Sequence, residues 1–532
     1  MNPNHRVDTI EPFTDNTGKV IYYIASLQPA GFLIISADDL IEPIISFSNE
    51  GSFDTLNDNP LAALAANDIS ERIDTAKTIE DYQLLSIKQQ ATETQNKWNH
   101  LITLGQIEET GFALMGLSTA SVADIRVEPL VKSKWSQTTS CYSTPVPCYN
   151  YFTPKQYPSG CVATAMAQLM RYHRYPKESI DRSLFKIIVD GHLWPVYPVK
   201  GSGISYAYDW DLMALEPNCT STKLQRQEIG ALCYDAGISV GTNYYSNISF
   251  ADVYNVKDAL KNVFKYGQAI FGYNDSKNID SGLINMINPN LDAGDPVILA
   301  IYRQNGGHAV LCDGYGYYSD TMYHHLNMGW SGISDAWYNL PDVNAVDRTY
   351  SSVLMCIYNI HVTDEGDGEV ISGRVLDHNG NPIADANVYA ETLDKNTIIS
   401  ISTNAKGIYA FDCLNSATTY SIRAASPGLT FTEYEITTGT SINNRPVSGN
   451  IWGVDFTGDY TGDFDCDGDI DHEDFAIFAS AWQSTPKDKN WTPSCDLNNP
   501  PDNIINSLDL NIFLDNWHTA NKFVKKSNPS FH

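Results

Sequence analysis

No stretch of this 532-residue chain approaches the ~18 to 20 consecutive apolar residues that a membrane-spanning helix needs, so no segment reads as a span. Basic residues are scarce as well: 34 Lys and Arg stand against 63 Asp and Glu, for a net charge of −29. Phosphate contacts require clustered Lys and Arg, and their scarcity argues against nucleic acid as a partner. Charged residues make up only 18% of the chain against 42% hydrophobic, which excludes the disordered class. The start, MNPNHRVDTIEPF, lacks the basic-then-apolar layout of an export signal. Given the C-terminal modules described below, we expect such a signal to have been trimmed and the protein to act outside the cell or at its surface. The ten cysteines follow no zinc-ligand spacing, and their pairing cannot be read from sequence.

What is present suffices for several cores. Single cores stop growing at about 250 to 300 residues, and the text divides into four segments. Residues 20–53 alternate short apolar runs with turn residues, the pattern of a strand meander. Residues 60–104 are rich in Ala, Gln, Glu and Leu at helical spacing, so a small α+β domain is predicted over 1–120. Small residues at 115–124 (MGLSTASVAD) read as an exposed connector of the kind proteases cut. Residues 126–363 mix helix and strand patterns and hold most of the reactive side chains. Over 368–458 the pattern turns to period two with Asn-Gly and Pro-Gly turns, which predicts a small β-sandwich. The last segment, 459–520, repeats itself: Asp474, Phe475, Ile477, Phe478 and Trp482 recur 35 residues later as Asp509, Leu510, Ile512, Phe513 and Trp517.

Chemistry concentrates in three places of the second segment. Around Cys161 the chain reads YPSGCVATAMAQLMRYHRYP, with Val162, Ala165, Met166, Leu169 and Met170 on one stripe of a buried helix. Cys161 thus opens a helix, where unpaired N–H groups and the dipole favour the thiolate, the nucleophilic form. Taken alone, a cysteine on such a helix is more often a buried structural residue. The second piece is a β-run ending in two glycines before His308, a candidate base and acid. The third is HLNMGWSGISDAW, where Asn327 is placed to orient an imidazole and Trp330 to shield that bond from water.

GCVATAMAQLMRYHRYP, GGHAVLCDGY and NMGWSG resemble the streptopain family (C10) of papain-type cysteine peptidases over roughly 126–363. The resemblance implies a papain-like α+β core, Cys161 as nucleophile and His308 as its partner. KWSQ at 134–137 resembles the family's Trp-x-Gln segment, which implies that Gln137 donates to the oxyanion beside the Cys161 N–H. The family often shows Asn-Trp-Gly-Trp-Gly where this chain has Asn-Met-Gly-Trp-Ser, so a different site wall is expected. GFLIISADDLIEPIISFSNEGSF in the first segment resembles the family's propeptide and implies a zymogen inhibited by its own N-terminal domain. GRVLDHNGNPIADANVYA and TNAKGIYAFDCL resemble carboxypeptidase-regulatory-like modules, for which no catalysis is expected.

Near the C-terminus, Asp463, Asp465, Asp467, Gly468, Asp471 and Asp474 occupy positions 1, 3, 5, 6, 9 and 12 of an EF-hand-like loop, the oxygen spacing suited to Ca2+. A second copy, Asp496, Asn498, Asp502, Asn506 and Asp509, fits if Pro500 and Pro501 form a two-residue insertion. Two such loop-helix units resemble a type I dockerin, a small α-helical module, and imply a cohesin-like receptor or another surface component as partner. The expectation is therefore a multidomain, exported zymogen that hydrolyses proteins, with structural Ca2+ and no catalytic cofactor. The competing reading is a catalytically inactive papain-like adhesion or binding protein; an acyltransferase on the same fold would differ only in its pocket.

Overall fold

The computed structural model describes residues 6–14, 18–28, 30–38, 44–48, 122, 124–141, 145–203, 207–275, 278–303, 306–318, 320–345, 348–363, 366–465, 470–498 and 502–524. The helices predicted over 60–104, most of the 115–124 connector, and Asp467, Gly468, Pro500 and Pro501 lie outside these residues. By its contacts the chain divides into two units, 1–368 with 441–448, and 369–440 with 449–532. Residues 441–448, assigned above to the sandwich, thus group with the first unit.

The first unit is organised by one 11-stranded sheet. Its strands are β1 (Arg6–Thr14), β2 (Val20–Gln28), β3 (Phe32–Ser36), β4 (Ile44–Ser48), β5 (Asp124–Val127), β6 (Gln268–Tyr273), β7 (Val297–Arg303), β8 (Gly306–Tyr318), β9 (Thr321–Asn327), β10 (Ala336–Tyr338) and β11 (Ser352–His361). They lie in the order β1-β2-β3-β4-β10-β9-β8-β7-β11-β6, with β5 paired to β8. The predicted meander is present as β2, β3 and β4. Its last strand pairs antiparallel with β10, Phe47 opposite Trp337 and Ser46 opposite Tyr338, so the N-terminal strands extend the sheet of the following segment.

Among the described residues the longer helices of this unit are α1 (Cys161–His173), α2 (Lys223–Ser239) and α3 (Ser281–Ala293). All nine residues from Val162 to Met170 are buried, because α1 runs through the core between α2 and β8. A fully enclosed helix needs apolar residues all round, and full burial of a Leu or Met side chain contributes about 1.5 to 3 kcal/mol. Gln168 and Thr164 are the exceptions to that apolar character. Over 297–301 of β7 and 308–316 of β8 burial is continuous rather than alternating, since both faces are covered there.

In the second unit, β12 (Glu369–Asp377), β13 (Asn387–Thr392), β14 (Ile398–Ser402), β15 (Ile408–Leu414), β16 (Thr419–Ala425), β17 (Leu429–Thr430), β18 (Tyr434–Thr437) and β19 (Phe456–Tyr460) form two four-stranded sheets. Their orders are β15-β12-β19-β17 and β14-β13-β16-β18, and inward Val375, Val388, Tyr409, Phe411, Ile422 and Phe456 fill the space between them. This is the predicted sandwich. Two short loop-helix units follow, with α4 (His472–Ser480) and α5 (Ser507–Val524) meeting at Phe464, Phe478 and Phe513. Among the described residues no helix is long and apolar enough to cross a membrane.

Candidate active site and C-terminal loops

Cys161 is the first residue of α1, and Gly160 before it has φ 90°. A side chain at Gly160 would meet the Ser249 carbonyl at 3.0 Å, so both the conformation and the space call for glycine. Glycine offers no side-chain cap, and the first turn of α1 accordingly has none. Its N–H groups remain available to a negative charge at the Cys161 sulfur or on a bound carbonyl. Cys161 is partly exposed, whereas Cys148, Cys233, Cys312, Cys356 and Cys495 are buried. Burial pushes the thiols of Cys148 and Cys495 up to about 12 and about 11, and those of Cys233 and Cys312 well above their usual range. Cys141 and Cys219 form a disulfide.

α1 packs on β8, which carries His308 beside the paired strand β7. On β7, Tyr302 stands opposite Gly307, and its hydroxyl is raised by burial, then by the charges of Asp252 and Cys161. The nucleophile candidate and the base candidate therefore flank the same stretch of strand. His308 is 5% exposed; its ring stacks on Trp330 with centroids 4.6 Å apart, and Tyr350 lies on it at 6.0 Å. Trp330, read from sequence as the shield of an Asn327–imidazole bond, lies on the face of the His308 ring.

The imidazole is oriented differently from the sequence expectation. His308 Nε2 lies 2.8 Å from the Met328 carbonyl, not on Asn327. Asn327 is buried and its amide is committed elsewhere: Oδ1 accepts from Gln168 Nε2 at 2.8 Å and from the Gly329 N–H at 3.1 Å, and Nδ2 donates to the Ser133 carbonyl at 2.8 Å. With a carbonyl as the acceptor, Nε2 carries the proton in the neutral ring and Nδ1 is the basic nitrogen. Met328, at the departure from the family text, is itself fully buried. Its N–H donates to Asp335 at 2.7 Å, and burial raises that carboxyl to about 7. Gly329 has φ 68°, and a side chain there would sit 3.2 Å from Thr164 on α1.

Gln137 is held beside the nucleophile through its backbone. Its carbonyl accepts from the Ser159 N–H at 2.8 Å and the Ser159 hydroxyl at 3.2 Å, two residues before Cys161. Gln168, Asp335 and the Met328 carbonyl were not singled out from sequence. Gln168 had a signal there, as a primary amide among the apolar residues of α1; a backbone carbonyl has none.

The C-terminal loops close in the same way. Asp474 Oδ1 accepts from the N–H groups of Phe464 at 2.5 Å and Asp465 at 3.3 Å, and its Oδ2 from Asp471 at 2.9 Å. Asp509 Oδ1 accepts from Leu497 at 2.7 Å and Asn498 at 3.1 Å, and its Oδ2 from Asn506 at 2.8 Å. The first bond spans ten residues in one loop and twelve in the other; Pro500 and Pro501, read from sequence as a two-residue insertion, lie outside the described residues. Carboxylate oxygens of Asp463, Asp465 and Asp474 lie within 4.8 Å of one another, as do those of Asp496, Asp502 and Asp509. Asp496 Oδ1 is buried with no hydrogen-bond partner among the described residues, a cost that a cation would remove. Asp471 caps α4, whereas Asn506 accepts from the Leu508 N–H and donates to Asp502 at 3.1 Å. Asp471, Asp474, Asn506 and Asp509 thus shape the loops as well as offering oxygen.

Residues 135–338 match the Peptidase C10 family, 370–447 the Carboxypeptidase regulatory-like domain and 8–73 the Spi protease inhibitor family. Streptopain of Streptococcus pyogenes serotype M28 is 26% identical over 337 residues, 60% of this chain and 74% of that protein. The thiol protease/hemagglutinin PrtT of Porphyromonas gingivalis is 28% identical over 195 residues, 35% of this chain and 21% of that one. A Prevotella intermedia prointerpain A fragment superposes with a TM-score of 0.45 at 18% identity, covering 67% of this chain and 99% of that chain. The matched region includes both Cys161 and His308; residues 135–338, which match the Peptidase C10 family, are accordingly a cysteine peptidase domain, a hydrolase.

Proposed function

We propose that this protein is an exported zymogen that cleaves polypeptides through an acyl-enzyme on Cys161. The observation that carries this reading is the pairing of a helix that starts at Cys161 without a side-chain cap with a buried His308 whose Nε2 rests on the Met328 carbonyl. In this scheme Nδ1 of His308 takes the Cys161 proton, and the thiolate attacks the scissile carbonyl. The oxyanion is stabilised by the Cys161 N–H and the Gln137 amide. His308 then protonates the leaving amine, and afterwards deprotonates the water that hydrolyses the thioester, which returns the free thiol.

The N-terminal strands supply the inhibitory role in this reading. They match a protease inhibitor family and add to the edge of the peptidase sheet at β10, so removing them requires breaking a strand pair. The Cys141–Cys219 disulfide fits an oxidising, extracellular setting. The loop-helix pair is read as a Ca2+-stabilised docking module for a cohesin-like receptor or surface component. Ca2+ would be held by Asp463, Asp465 and Asp474 in one loop and by Asp496, Asp502 and Asp509 in the other, with Asp467 as a further sequence candidate. The ion would supply charge neutralisation and loop rigidity there.

Incubating the chain with reductant and Ca2+, beside Cys161→Ala, tests the proposal by gel and casein cleavage. The parent is expected to shorten near residue 120 and then cut casein, while the variant does neither. Equal casein cleavage by the two, after deliberate removal of the N-terminal segment, would contradict it.

A further inference from the structure

Gln168 lies seven residues after Cys161 on α1, two turns along the same helix, and is fully buried. A buried primary amide costs free energy unless its hydrogen-bonding groups are satisfied. Oε1 accepts from the Ser133 hydroxyl at 2.9 Å and from the Trp135 N–H at 3.1 Å, and Nε2 donates to Asn327 Oδ1 at 2.8 Å. Asn327 returns a bond to the same segment, its Nδ2 donating to the Ser133 carbonyl at 2.8 Å. Three pieces of chain meet on this amide: the helix that begins with Cys161, the segment running from Ser133 into Gln137, and the turn after β9.

From Asn327 the connection continues to the imidazole through one peptide group. Asn327 Oδ1 accepts the Gly329 N–H at 3.1 Å, and that N–H belongs to the same peptide unit as the Met328 carbonyl, on which His308 Nε2 rests at 2.8 Å. A peptide group is planar, so fixing the direction of its N–H fixes the direction of its C=O. The bond to Asn327 at one edge of this peptide therefore sets the acceptor that His308 meets at the opposite edge.

We propose that Gln168 is a positioning residue for catalysis: through Asn327 and the 328–329 peptide it sets His308 relative to Cys161, and through Ser133 and Trp135 it sets the segment carrying Gln137. The inference rests on the Cys161–His308 assignment proposed above. An apolar residue of similar volume would fill the space in α1 but leave the base, the oxyanion donor and the nucleophile without a common tether. Misplacement of reacting groups by about 1 Å costs up to about 100-fold in rate.

The test compares the processed parent with Gln168→Met, Gln168→Glu, Ser133→Ala and Cys161→Ala. It measures kcat and KM on a peptide substrate, the rate of Cys161 alkylation by iodoacetamide, and thermal melting. Gln168→Met is expected to melt cooperatively, to lose about 10- to 100-fold in kcat with KM within about threefold, and to alkylate more slowly. Gln168→Glu keeps both acceptors and, when protonated, can donate to Asn327, so it should retain more kcat than Gln168→Met. A folded Gln168→Met with kcat and alkylation rate within twofold of the parent overturns the inference. If Gln168→Met does not fold, Ser133→Ala decides: it removes one bond to the same amide without touching α1, a several-fold loss in kcat is expected, and an unchanged kcat overturns the inference. Activity in Cys161→Ala would instead remove the nucleophile assignment, a separate failure from an inactive Cys161→Ala accompanied by a parent-like Gln168→Met.

Discussion

The peptidase site and the C-terminal loops both collect polar side chains, but from opposite distances. Cys161 and His308 are separated by well over a hundred residues and are carried on elements that come together only because α1 packs on β8. Asp463, Asp465 and Asp474 come together within a single turn of chain, and Asp496, Asp502 and Asp509 repeat the arrangement. A dispersed site depends on the whole core for its geometry, whereas a local one carries its geometry in its own backbone hydrogen bonds. Damage to the first should therefore appear in rate, and damage to the second in the stability of one module.

The largest effect is expected at the dispersed site. His308→Ala should lower kcat/KM at least 1,000-fold with thermal melting little changed, since removal of a base that acts as a unit with its nucleophile is costly on this scale. Steady-state kinetics on a peptide substrate check it, and a loss below tenfold would place the base elsewhere.

At the local site, Asp474→Ala strips the acceptors from the N–H groups of Phe464, Asp465 and Asp471. Hydrogen bonds to a charged acceptor are worth about 1.5 to 3 kcal/mol each before water replaces them, so a loss of about 3 kcal/mol in the C-terminal module is expected. Denaturant unfolding followed by Trp fluorescence would report it, with peptide cleavage unchanged. Asp509→Ala should behave alike; a loss of cleavage in either variant would erase the contrast between the two regions.

A smaller effect belongs to Asp335. Burial raises its carboxyl from 3.8 to about 7, so between those values the folded chain binds the proton more tightly than the unfolded one. This group's contribution to stability is therefore fully present below about pH 4, falls as pH rises towards 7, and is level above. Asp335→Asn retains an acceptor for the Met328 N–H and does not titrate. Its stability relative to the parent, followed by denaturant unfolding, should rise between pH 4 and 7 and then plateau, by on the order of 1 to 2 kcal/mol once solvent reaching the carboxyl is allowed for. A pH-independent difference would place the titration elsewhere.

The same contrast explains what could be read from the sequence. The gathering of Asp463, Asp465 and Asp474, and of Asp496, Asp502 and Asp509, was legible because their offsets are local and the repeat of Asp474 as Asp509 exposes the register. The placing of Cys161 at the start of a buried helix and of His308 on a strand after two glycines was legible from the helix stripe and the glycines around each. The tether of His308 was misassigned to the Asn327 side chain, because a side-chain amide is visible in a sequence and a backbone carbonyl such as that of Met328 is not. The joining of β4 to β10 was likewise hidden, since an edge strand carries no mark of which distant edge it will meet.

The central claim is that Cys161 is the nucleophile, and site-resolved alkylation tests it most directly. The parent, freed of its N-terminal segment, is treated with one equivalent of iodoacetamide at pH 6, and modified cysteines are mapped by mass spectrometry as peptide cleavage is followed. Buried thiols pushed well up, such as those of Cys148 and Cys233, should remain unmodified, while Cys161 is modified first and activity falls in step with it. Activity that survives full modification of Cys161, or a Cys161 that reacts no faster than the partly exposed Cys413, would contradict the account.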